Sequence, residues 1–494
     1  MSRFYITTAI VYTNAPPHIG FALELVQADA VARYHRMLGD DVRFLTGTDE
    51  HGTKIMRTAQ DAGVPTQEFV DHIAGQVGDL ATRFDISNTD FMRTSDRVRH
   101  WPATQKLWRA MAEKGDIYKK SYEGTYCVGH EAFIKQSELV DGLCPLHKTK
   151  PELTRKENWF FRVSKYTARI RELIESDRLL IVPDTHKTEI LNLLDDVEDV
   201  SFSRPSNQLS WGIPVPDDAS QTVYVWADAL TNYISALGYG TDDAAMAFWP
   251  ADTHLIGKDI VCFHAIYWPA MLMSAGLEVP KSIAVHGFIT IDGEKMSKTL
   301  GNVIDPFELL NRYPVDVVRY FMLRELRSTD DSDFSYKNLE NRHNTDLANG
   351  LGNLVQRVAT LVATKMSGKG VYRADLEATE ASLVQILDDT DYKKAFEQFR
   401  LHDATANVWE KIALANAYLN DRQPWKQEGD AQYKTLITAV AMLSHIAWLL
   451  QPFMPDTARK VAAVFGVPLA ARLDDGQHVT VTLPEPMFPR TEDR

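Results

Sequence analysis

Two short segments of the chain combine residue types that suit phosphate chemistry. Pro17-His18-Ile19-Gly20 stands where a strand pattern gives way to a helix pattern. A helix N-terminus there would offer free backbone amides, and Gly20 has no Cβ that would block a ligand. About 275 residues later, Lys295-Met296-Ser297-Lys298-Thr299 presents two ammonium groups with a hydroxyl group between them. Such a loop suits the negative charge that develops on a pyrophosphate leaving group.

Each segment taken alone has a simpler interpretation, an ordinary turn for the first and a solvated lysine loop for the second. Two other nucleotide-binding motifs are missing. No Gly-x-Gly-x-x-Gly turn is present, and Gly257-Lys258 is followed by Asp259 where a P-loop has serine or threonine. The sequence therefore predicts neither hydride transfer with a dinucleotide nor P-loop chemistry.

The elements that position these segments follow a strand-helix-strand pattern. The periodicity predicts strands at 4–11 and 42–46 around a helix at 21–37, and again strands at 254–257 and 282–291 around a helix at 260–274. Such units form a parallel sheet whose functional edge lies at the carboxyl ends of its strands. Between the two units the pattern lapses, which predicts one α/β domain split by an insertion.

The chain is nearly all helical in pattern from Asn338 onward, which predicts a C-terminal helical bundle. The fold class is therefore α/β, a Rossmann-like parallel-sheet domain split by an insertion and followed by helices. The predicted boundaries are 1–115 and 225–300 for the two halves of the α/β domain, 116–224 for the insertion, 301–340 for a linker and 341–494 for the helical domain.

Composition limits the class of protein. At roughly 150 residues per domain, 494 residues make about three domains. No window of 18 uninterrupted apolar residues occurs and no apolar signal core opens the chain, so we expect a cytoplasmic protein without a membrane partner. A net charge of -14 repels nucleic acid at long range, although a local basic surface can still bind it.

The insertion carries a candidate metal site. Cys127-x2-His130 and Cys144-x2-His147 supply four ligands at the spacing of a zinc knuckle. Two interpretations stay open, a tetrahedral structural zinc ion or a metal-free remnant held together by its apolar residues.

The Pro-His-Ile-Gly and Lys-Met-Ser-Lys-Thr segments, in matching settings, resemble the paired signatures of class I aminoacyl-tRNA synthetases. Further segments resemble the methionyl-tRNA synthetase family over the whole chain. They are Thr46-Gly47-Thr48-Asp49-Glu50-His51-Gly52, Tyr224-Val225-Trp226-Ala227-Asp228-Ala229, Gly257-Lys258-Asp259-Ile260-Val261-Cys262-Phe263-His264 and Val285-His286-Gly287-Phe288. The chain departs from the family at Phe21, where the full signature has a second histidine, so His18 and backbone amides must hold ATP. The knuckles of the family are usually richer in cysteine than this one, which has His130.

The resemblance implies activation of methionine by ATP and its transfer to the terminal adenosine of tRNA. Catalysis would be positioning and charge stabilisation by His18, Lys295, Lys298 and a Mg²⁺ ion on the phosphates, with no protein nucleophile. The implied ATP contacts are His18, Gly20, Gly257, Asp259, His286, Gly287, Lys295, Met296, Ser297 and Lys298. The implied methionine contacts are Asp49 for the ammonium group and Ala9, Ile10, Tyr12, Trp226, Ala229, Tyr233, Ile260, His264 and Trp268 for the side chain. A thioether suits such a pocket, which can offer sulfur-aromatic contact and one weak donor, Tyr12 or His264.

The helical domain is expected to bind the anticodon. Asn349, Asn353 and Arg357 are spaced by four residues, which places them on one helix face. Pro424-Trp425 falls at a break between helices, where an indole could stack on an unpaired base. In the family these positions meet a CAU anticodon, and the 301–340 region contacts the tRNA stem.

Two alternative functions remain at this point. One is another class I synthetase, such as the cysteine enzyme. Those for valine, leucine and isoleucine are disfavoured because an insertion of about 110 residues is short for an editing domain. The other is an inactive RNA-binding scaffold, for which Phe21 is the single hint. Because no oligonucleotide-binding module follows the helical bundle before Arg494, we expect a monomer.

Overall fold

The structure, a computed structural model, describes residues 1–127, 132–134, 138–291, 293–295 and 303–490. It divides into two compact units. The N-terminal unit comprises residues 1–28, 40–82 and 86–286, and the C-terminal unit comprises residues 29–39, 83–85 and the chain from Gly287 onward.

The strands up to His286 belong to the N-terminal unit. They are β1 (Arg3–Thr8), β2 (Val11–Tyr12), β3 (Asp41–Asp49), β4 (Asp90–Arg93), β5 (Ile117–Cys127), β6 (Ala132–Ile134), β7 (Glu152–Phe161), β8 (Leu180–Val182), β9 (Val200–Ser201), β10 (Ser203–Pro205), β11 (Pro214–Val215), β12 (Asp218–Val223), β13 (Thr253–Gly257) and β14 (Ser282–His286). The helices of this part of the chain are α1 (Ile19–Met37), α2 (Thr53–Asp61), α3 (Thr66–Arg83), α4 (His100–Glu113), α5 (Thr167–Glu175), α6 (Asp184–Leu193), α7 (Val225–Leu230), α8 (Asn232–Ser235) and α9 (Trp268–Ser274).

A seven-stranded sheet forms the centre of the N-terminal unit. Its order is β2-β3-β1-β13-β14-β8, with β4 on the other side of β3, and its pairings are parallel. The predicted α/β fold class is confirmed. Because the strands are parallel, the carboxyl ends of β1, β3, β13 and β14 share one edge, where ligands of such sheets bind.

The chain between β4 and β13 adds two small antiparallel sheets to this unit. Their orders are β6-β5-β7-β9 and β10-β12-β11. Strand β8 lies in the same stretch but pairs parallel with β14 in the central sheet. The break in sequence pattern therefore coincides with the added antiparallel sheets, although the chain returns to the central sheet once within it.

Three predicted elements of the α/β domain were partly wrong. The strand predicted at 4–11 is divided between β1 and β2, because β1 ends at Thr8. The helix predicted at 260–274 contains a π-helical turn at Phe263–Tyr267 before α9. The strand predicted at 282–291 ends at His286, and the chain continues in a different sheet of the C-terminal unit. Gly287 explains the break, since a Cβ there would lie 2.2 Å from the backbone carbonyl of Asp330.

The C-terminal unit is mostly helical, as predicted. Its strands are β15 (Ile289–Ile291), β16 (Glu294–Lys295), β17 (Ser332–Phe334), β18 (Lys369–Val371) and β19 (His478–Thr480). Its further helices are α10 (Pro306–Arg312), α11 (Val315–Arg324), α12 (Tyr336–Arg342), α13 (Asn353–Lys365), α14 (Asp375–Thr379), α15 (Ala381–Ile386), α16 (Thr390–Glu397), α17 (Leu401–Arg422), α18 (Gly429–Leu450) and α19 (Pro455–Phe465).

Helix α18 is long and apolar enough to cross a membrane by length and composition alone. Its most apolar window is 89% buried inside the protein, however, and the helix contacts α17 and α19. These contacts are those of a core helix, whose apolar surface is covered by its neighbours.

Candidate active site and nucleic-acid interface

His18 caps the N-terminus of α1 at the carboxyl edge of the sheet. Its Nδ1 accepts hydrogen bonds from the backbone amides of Gly20 (3.1 Å) and Phe21 (3.3 Å). An accepting Nδ1 leaves the proton of the neutral ring on Nε2. Desolvation by the surrounding protein lowers the pKa of His18, although solvent reaches the side chain. His18 is therefore a neutral N–H donor near pH 7.

Gly20 is needed for this cap. A Cβ at this position would lie 3.0 Å from Cε1 and Nδ1 of the His18 ring. A Cβ there would crowd the His18 ring, while the predicted contact of Gly20 with ATP stays a prediction. The ring of Phe21 is buried in the protein core, so the departure from the family signature adds to the packing of α1.

Glu24, one turn further along α1, was missed by the sequence analysis. Its buried carboxylate accepts a hydrogen bond from the backbone amide of Ala9 (2.7 Å) through Oε1 and contacts Nε2 of His286 (2.9 Å) through Oε2. Burial raises the pKa of Glu24, against the effect of His286. This carboxylate ties the ends of β1 and β14 to α1. The feature of the sequence that points to Glu24 is a charged residue within an apolar helical stretch.

Gly257 and Asp259 occupy the end of β13 and the turn that follows it. Gly257 is buried in the sheet next to His286, while Asp259 is exposed to solvent. The charge of Asp259 acts on His18 and raises its pKa, in opposition to desolvation. The predicted ATP contacts His18, Gly257, Asp259 and His286 thus gather at one edge of the sheet. Gly287 begins the C-terminal unit.

Asp49 and Tyr12 are neighbours at the same edge. They are paired residues of the parallel strands β2 and β3, and Asp49 is buried at the last position of β3. The amide and hydroxyl of Thr13 both donate to the Asp49 carbonyl, at 3.0 and 3.1 Å. Two donors of one residue therefore hold the backbone that carries the proposed ammonium ligand.

The predicted methionine pocket differs in burial from residue to residue. Tyr233, His264 and Trp268 are almost fully buried, and the indole of Trp268 donates to Nε2 of His254 (3.2 Å). Trp226 is half-buried and stacks on Phe263, with ring centroids 3.8 Å apart. Ala9 and Ala229 are buried, whereas Ile10, Tyr12 and Ile260 are half-buried. Phe263 and His254 were not predicted, although Phe263 lies beside His264 in the quoted motif.

The hydrogen bonds of His264 fix its tautomer. Nδ1 lies 3.0 Å from the carbonyl oxygen of Ile260, which can only accept, so Nδ1 carries the proton. Nε2, 2.7 Å from the Tyr233 hydroxyl, must then accept from it. Burial lowers the pKa of His264 to about 4, so the ring stays neutral at physiological pH. Tyr12 and His264 were the two weak donors suggested for the thioether of methionine. Because both ring nitrogens of His264 are engaged, this arrangement favours Tyr12.

A second buried network joins two of the predicted binding segments. The carboxylate of Asp228, 1% exposed, contacts Nδ1 of His51 (2.6 Å) and Nε2 of His100 (2.7 Å). Burial raises the pKa of Asp228, but the hydrogen bonds and charges of the two histidines outweigh it and hold the pKa below its ordinary value. His51 lies two residues after Asp49, and Asp228 two residues after Trp226, so one carboxylate links the segments that carry both.

The lysine segment belongs to the C-terminal unit. Strands β15 and β16 pair antiparallel, with Ile291 opposite Glu294. Lys295 ends β16, and its backbone alone is described. Met296, Ser297 and Lys298 lie outside the described residues.

Three of the four predicted metal ligands come together in the insertion. Nδ1 of His147 lies 3.5 Å from Sγ of Cys144 and 3.9 Å from Sγ of Cys127, and all three ligand atoms lie within 4.8 Å of one another. The fourth predicted ligand, His130, lies outside the described residues.

The predicted anticodon residues lie in the C-terminal unit. Arg357 donates to Oδ1 of Asn420 (2.9 Å), and its guanidinium carbon lies 4.7 Å from the ring centroid of Trp425. Trp425 is 39% exposed in the turn Pro424–Lys426 between α17 and α18, as predicted. Asn349 and Asn353 are exposed. The prediction of one regular helix was wrong, because His343–Gly352 is π-helical and changes the spacing before Asn353.

A groove of about 430 Å³ lies between this π-helical segment and α17. Amide, carboxylate, aromatic and small apolar side chains line it. They are Thr345, Asp346, Gly350, Trp409, Ile412, Ala413, Asn416, Ala417 and Asn420. Because Asn420 also binds Arg357, the groove continues into the predicted anticodon residues.

Comparison with known proteins agrees with this arrangement. A family model described as tRNA synthetases class I (M) matches residues 4–150 and 134–359, and one described as the anticodon binding domain of methionyl tRNA ligase matches 372–488. A methionine--tRNA ligase of Brucella suis is 41% identical over 99% of this chain and 98% of its own length. One from Thermotoga maritima is 41% identical over 93% of this chain and 74% of its own.

A solved structure is also similar to this chain. The methionyl-tRNA synthetase of Mycobacterium tuberculosis in complex with methionyl-adenylate matches with a TM-score of 0.91 and 38% identity, over 99% of this chain and 100% of that one. These matches confirm the function that the sequence predicted. The chain belongs to the methionyl-tRNA synthetases of class I, the ligases that use ATP to attach methionine to tRNA.

Proposed function

We propose that methionyl-adenylate forms at the carboxyl edge of the sheet in the N-terminal unit. The observation that carries this proposal is the cap of α1 by His18, which leaves a neutral Nε2–H donor at the positive end of the helix dipole. The proposed ATP contacts are His18, Gly20, Gly257, Asp259, His286, Gly287 and the lysine segment Lys295 to Lys298. Mg²⁺ carried on the phosphates would neutralise part of their charge.

In the proposed reaction the methionine carboxylate attacks the α-phosphate in line and pyrophosphate leaves. Nε2–H of His18 donates to a phosphate oxygen, and the two lysines stabilise the charge that grows on the leaving group. Glu24 acts indirectly, because it fixes the ends of β1 and β14 against α1. The ribose hydroxyl of the terminal adenosine then attacks the carbonyl carbon of the adenylate and AMP leaves, so no covalent enzyme intermediate is needed.

The amino acid is proposed to bind between Asp49 and the aromatic cluster. Asp49 would pair with the ammonium group, and Trp226 and Tyr12 would contact the thioether. His264 is positioned to orient Tyr233 rather than to bind sulfur, because both of its ring nitrogens are engaged.

The C-terminal unit is proposed to bind tRNA with a CAU anticodon through Asn349, Asn353, Arg357, Pro424 and Trp425. We also propose the domain boundaries given by the sequence, with 301–340 contacting the tRNA stem, and a monomer that works in the cytoplasm. Charging assays with transcripts that differ only in the anticodon test the first point. We expect each single change from CAU to lower kcat/KM by about 5- to 150-fold, since one good base contact contributes roughly 1–3 kcal/mol. Equal charging of all transcripts would contradict this assignment.

A structural zinc ion is proposed for the insertion. In a tetrahedral site, with zinc about 2.3 Å from sulfur and about 2.0 Å from nitrogen, a sulfur and a nitrogen ligand lie roughly 3.5 Å apart. The separations from His147 to Cys144 and Cys127, 3.5 and 3.9 Å, fit that geometry. These residues would hold the ion with His130 as the fourth ligand, and the ion would stabilise the fold of the insertion.

Metal analysis tests the zinc proposal. We expect close to one equivalent of zinc in the purified protein and a loss of most of it in Cys144→Ser. Cys262→Ser, which changes a half-buried cysteine of the N-terminal unit outside the cluster, should keep the metal. Less than a tenth of an equivalent in the unchanged protein, after purification with added zinc, would favour the metal-free remnant.

A further inference from the structure

The end of the described chain is anchored on the predicted anticodon-binding helix. Phe488 is 8% exposed and meets the ring of His343 edge to face, with centroids 6.3 Å apart. Nε2 of His343, itself 1% exposed, donates to the carbonyl oxygen of Pro489 (2.8 Å). The phenyl ring also lies against Gly352, where a Cβ would be 3.3 Å from it. A buried aromatic ring and a buried hydrogen bond therefore fix the backbone that carries the next residue.

That next residue is Arg490, and its side chain reaches Asn349. Nη2 of Arg490 donates to Oδ1 of Asn349 at 2.8 Å, while both side chains stay exposed. With its oxygen bound, the Asn349 amide has its NH2 group left to donate. The contact thus orients one of the predicted base-reading amides.

Arg357 and Asn420 form a second pair of the same kind. In each pair a guanidinium donates to an asparagine oxygen, and each pair includes a residue predicted to bind the anticodon. Asn349 is the neighbour in sequence of Gly350, which lines the groove. Asn420 is itself part of the lining. Arg357 thus binds a residue of the groove lining, and Arg490 binds the residue next in sequence to one. The lining residues themselves are neutral or acidic.

A guanidinium has five N–H donors and binds phosphate in a bidentate way. One donor of Arg490 is used by Asn349, which leaves the others for a ligand. A protein with a net charge of -14 needs such local positive charge to hold a polyanion.

We propose that Arg490 binds a backbone phosphate of the tRNA anticodon loop while it orients Asn349 for a base. This inference rests on the proposed function, since it assumes that Asn349 and Trp425 meet that loop. It adds a residue that no sequence motif singled out, brought to the RNA-binding face by the anchored C-terminal segment.

The experiment is the salt dependence of tRNA charging. kcat/KM for tRNA is measured between 50 and 200 mM salt for the unchanged protein, Arg490→Gln and Arg490→Lys. Loss of one phosphate contact should reduce the slope of log(kcat/KM) against log[salt] by about 0.7–0.9 in Arg490→Gln. Arg490→Lys should keep the slope, because a charge alone satisfies a phosphate. Methionine-dependent pyrophosphate exchange, which needs no tRNA, should be unchanged in both.

Arg459→Gln is the matched control. Arg459 is an exposed arginine on α19 that pairs with Asp456, so its loss changes the net charge equally. An unchanged slope in Arg490→Gln, or an equal fall in Arg459→Gln, would overturn the proposal. Asn349→Ala and Trp425→Ala separate it from the proposed function. If they impair charging while Arg490→Gln does not, Arg490 alone is wrongly assigned, and if none of them does, the anticodon assignment itself is wrong.

Discussion

Replacing Lys295 with alanine should slow adenylate formation about 10²- to 10³-fold and leave the KM for methionine nearly unchanged. That range is typical for removal of one group that stabilises charge in a transition state. The ammonium group is proposed to act on the pyrophosphate leaving group, whose charge grows only as the bond to the α-phosphate breaks. An interaction made mainly in the transition state lowers kcat and kcat/KM together. Methionine-dependent exchange of labelled pyrophosphate into ATP measures both constants.

Lys281→Ala is the matched control for this prediction. Lys281 is an exposed lysine just before β14, at the amino edge of the seven-stranded sheet, and it pairs with Asp252. In Lys281→Ala the rate of pyrophosphate exchange should stay within about twofold of that of the unchanged protein, as for most surface substitutions. If Lys295→Ala only raised the KM for methionine, the lysine would have a role in substrate binding and not in the chemical step.

The α/β fold could be predicted because its signal is local. Residues 21–37 and 42–46 show their periodicity within one element each, and α1 and β3 were found where it placed them, whereas 4–11 is divided between β1 and β2. The break at Gly287 could not be predicted in the same way. It depends on the backbone of Asp330, more than forty residues away, and nothing near Gly287 in the sequence reports that contact.

The contacts that support the site are also distant in sequence. Glu24 is separated from His286 by 262 residues, and Asp228 from His51 by 177. A buried carboxylate is costly unless it is paired, so each of these acids implies a partner, but a single sequence does not say which. The motifs identified the residues proposed to touch the ligands, whereas the structure was needed to find the residues that hold them.

The residues proposed to bind the anticodon show both what the sequence could predict and what it could not. Trp425 was predicted correctly at a helix break, because the proline before it and the change of pattern are visible in the sequence. The π-helical segment at His343–Gly352 was not predicted, since it keeps helical periodicity in sequence while its hydrogen bonds run to the fifth residue. Arg490 was missed because its link to Asn349 crosses 141 residues.

Trp425→Ala should lower kcat/KM for tRNA about 5- to 150-fold without changing pyrophosphate exchange. The indole is 39% exposed, and one of its faces is covered by the guanidinium of Arg357 at 4.7 Å. A base that stacks on this pair gains roughly 1–3 kcal/mol, which corresponds to that range of affinity. Adenylate formation is assigned to His18, the lysine segment and the residues around them and needs no tRNA, so it should not depend on an indole assigned to the anticodon. Charging and exchange assays on one preparation measure both activities.

Trp425→Phe and Lys426→Ala are the controls that separate stacking from packing and from charge. Phenylalanine keeps a flat ring for the base and for Arg357, so charging should fall by much less than in the alanine variant. Lys426 is the exposed residue next to Trp425, and its loss tests whether any change in this turn impairs charging. Loss of exchange in Trp425→Ala would mean that the indole supports the fold, and unaltered charging would mean that no base stacks on it. In either case Trp425 would not belong to the anticodon site, because its assignment there depends on an exposed flat ring that stacks on a base and plays no part in adenylate formation.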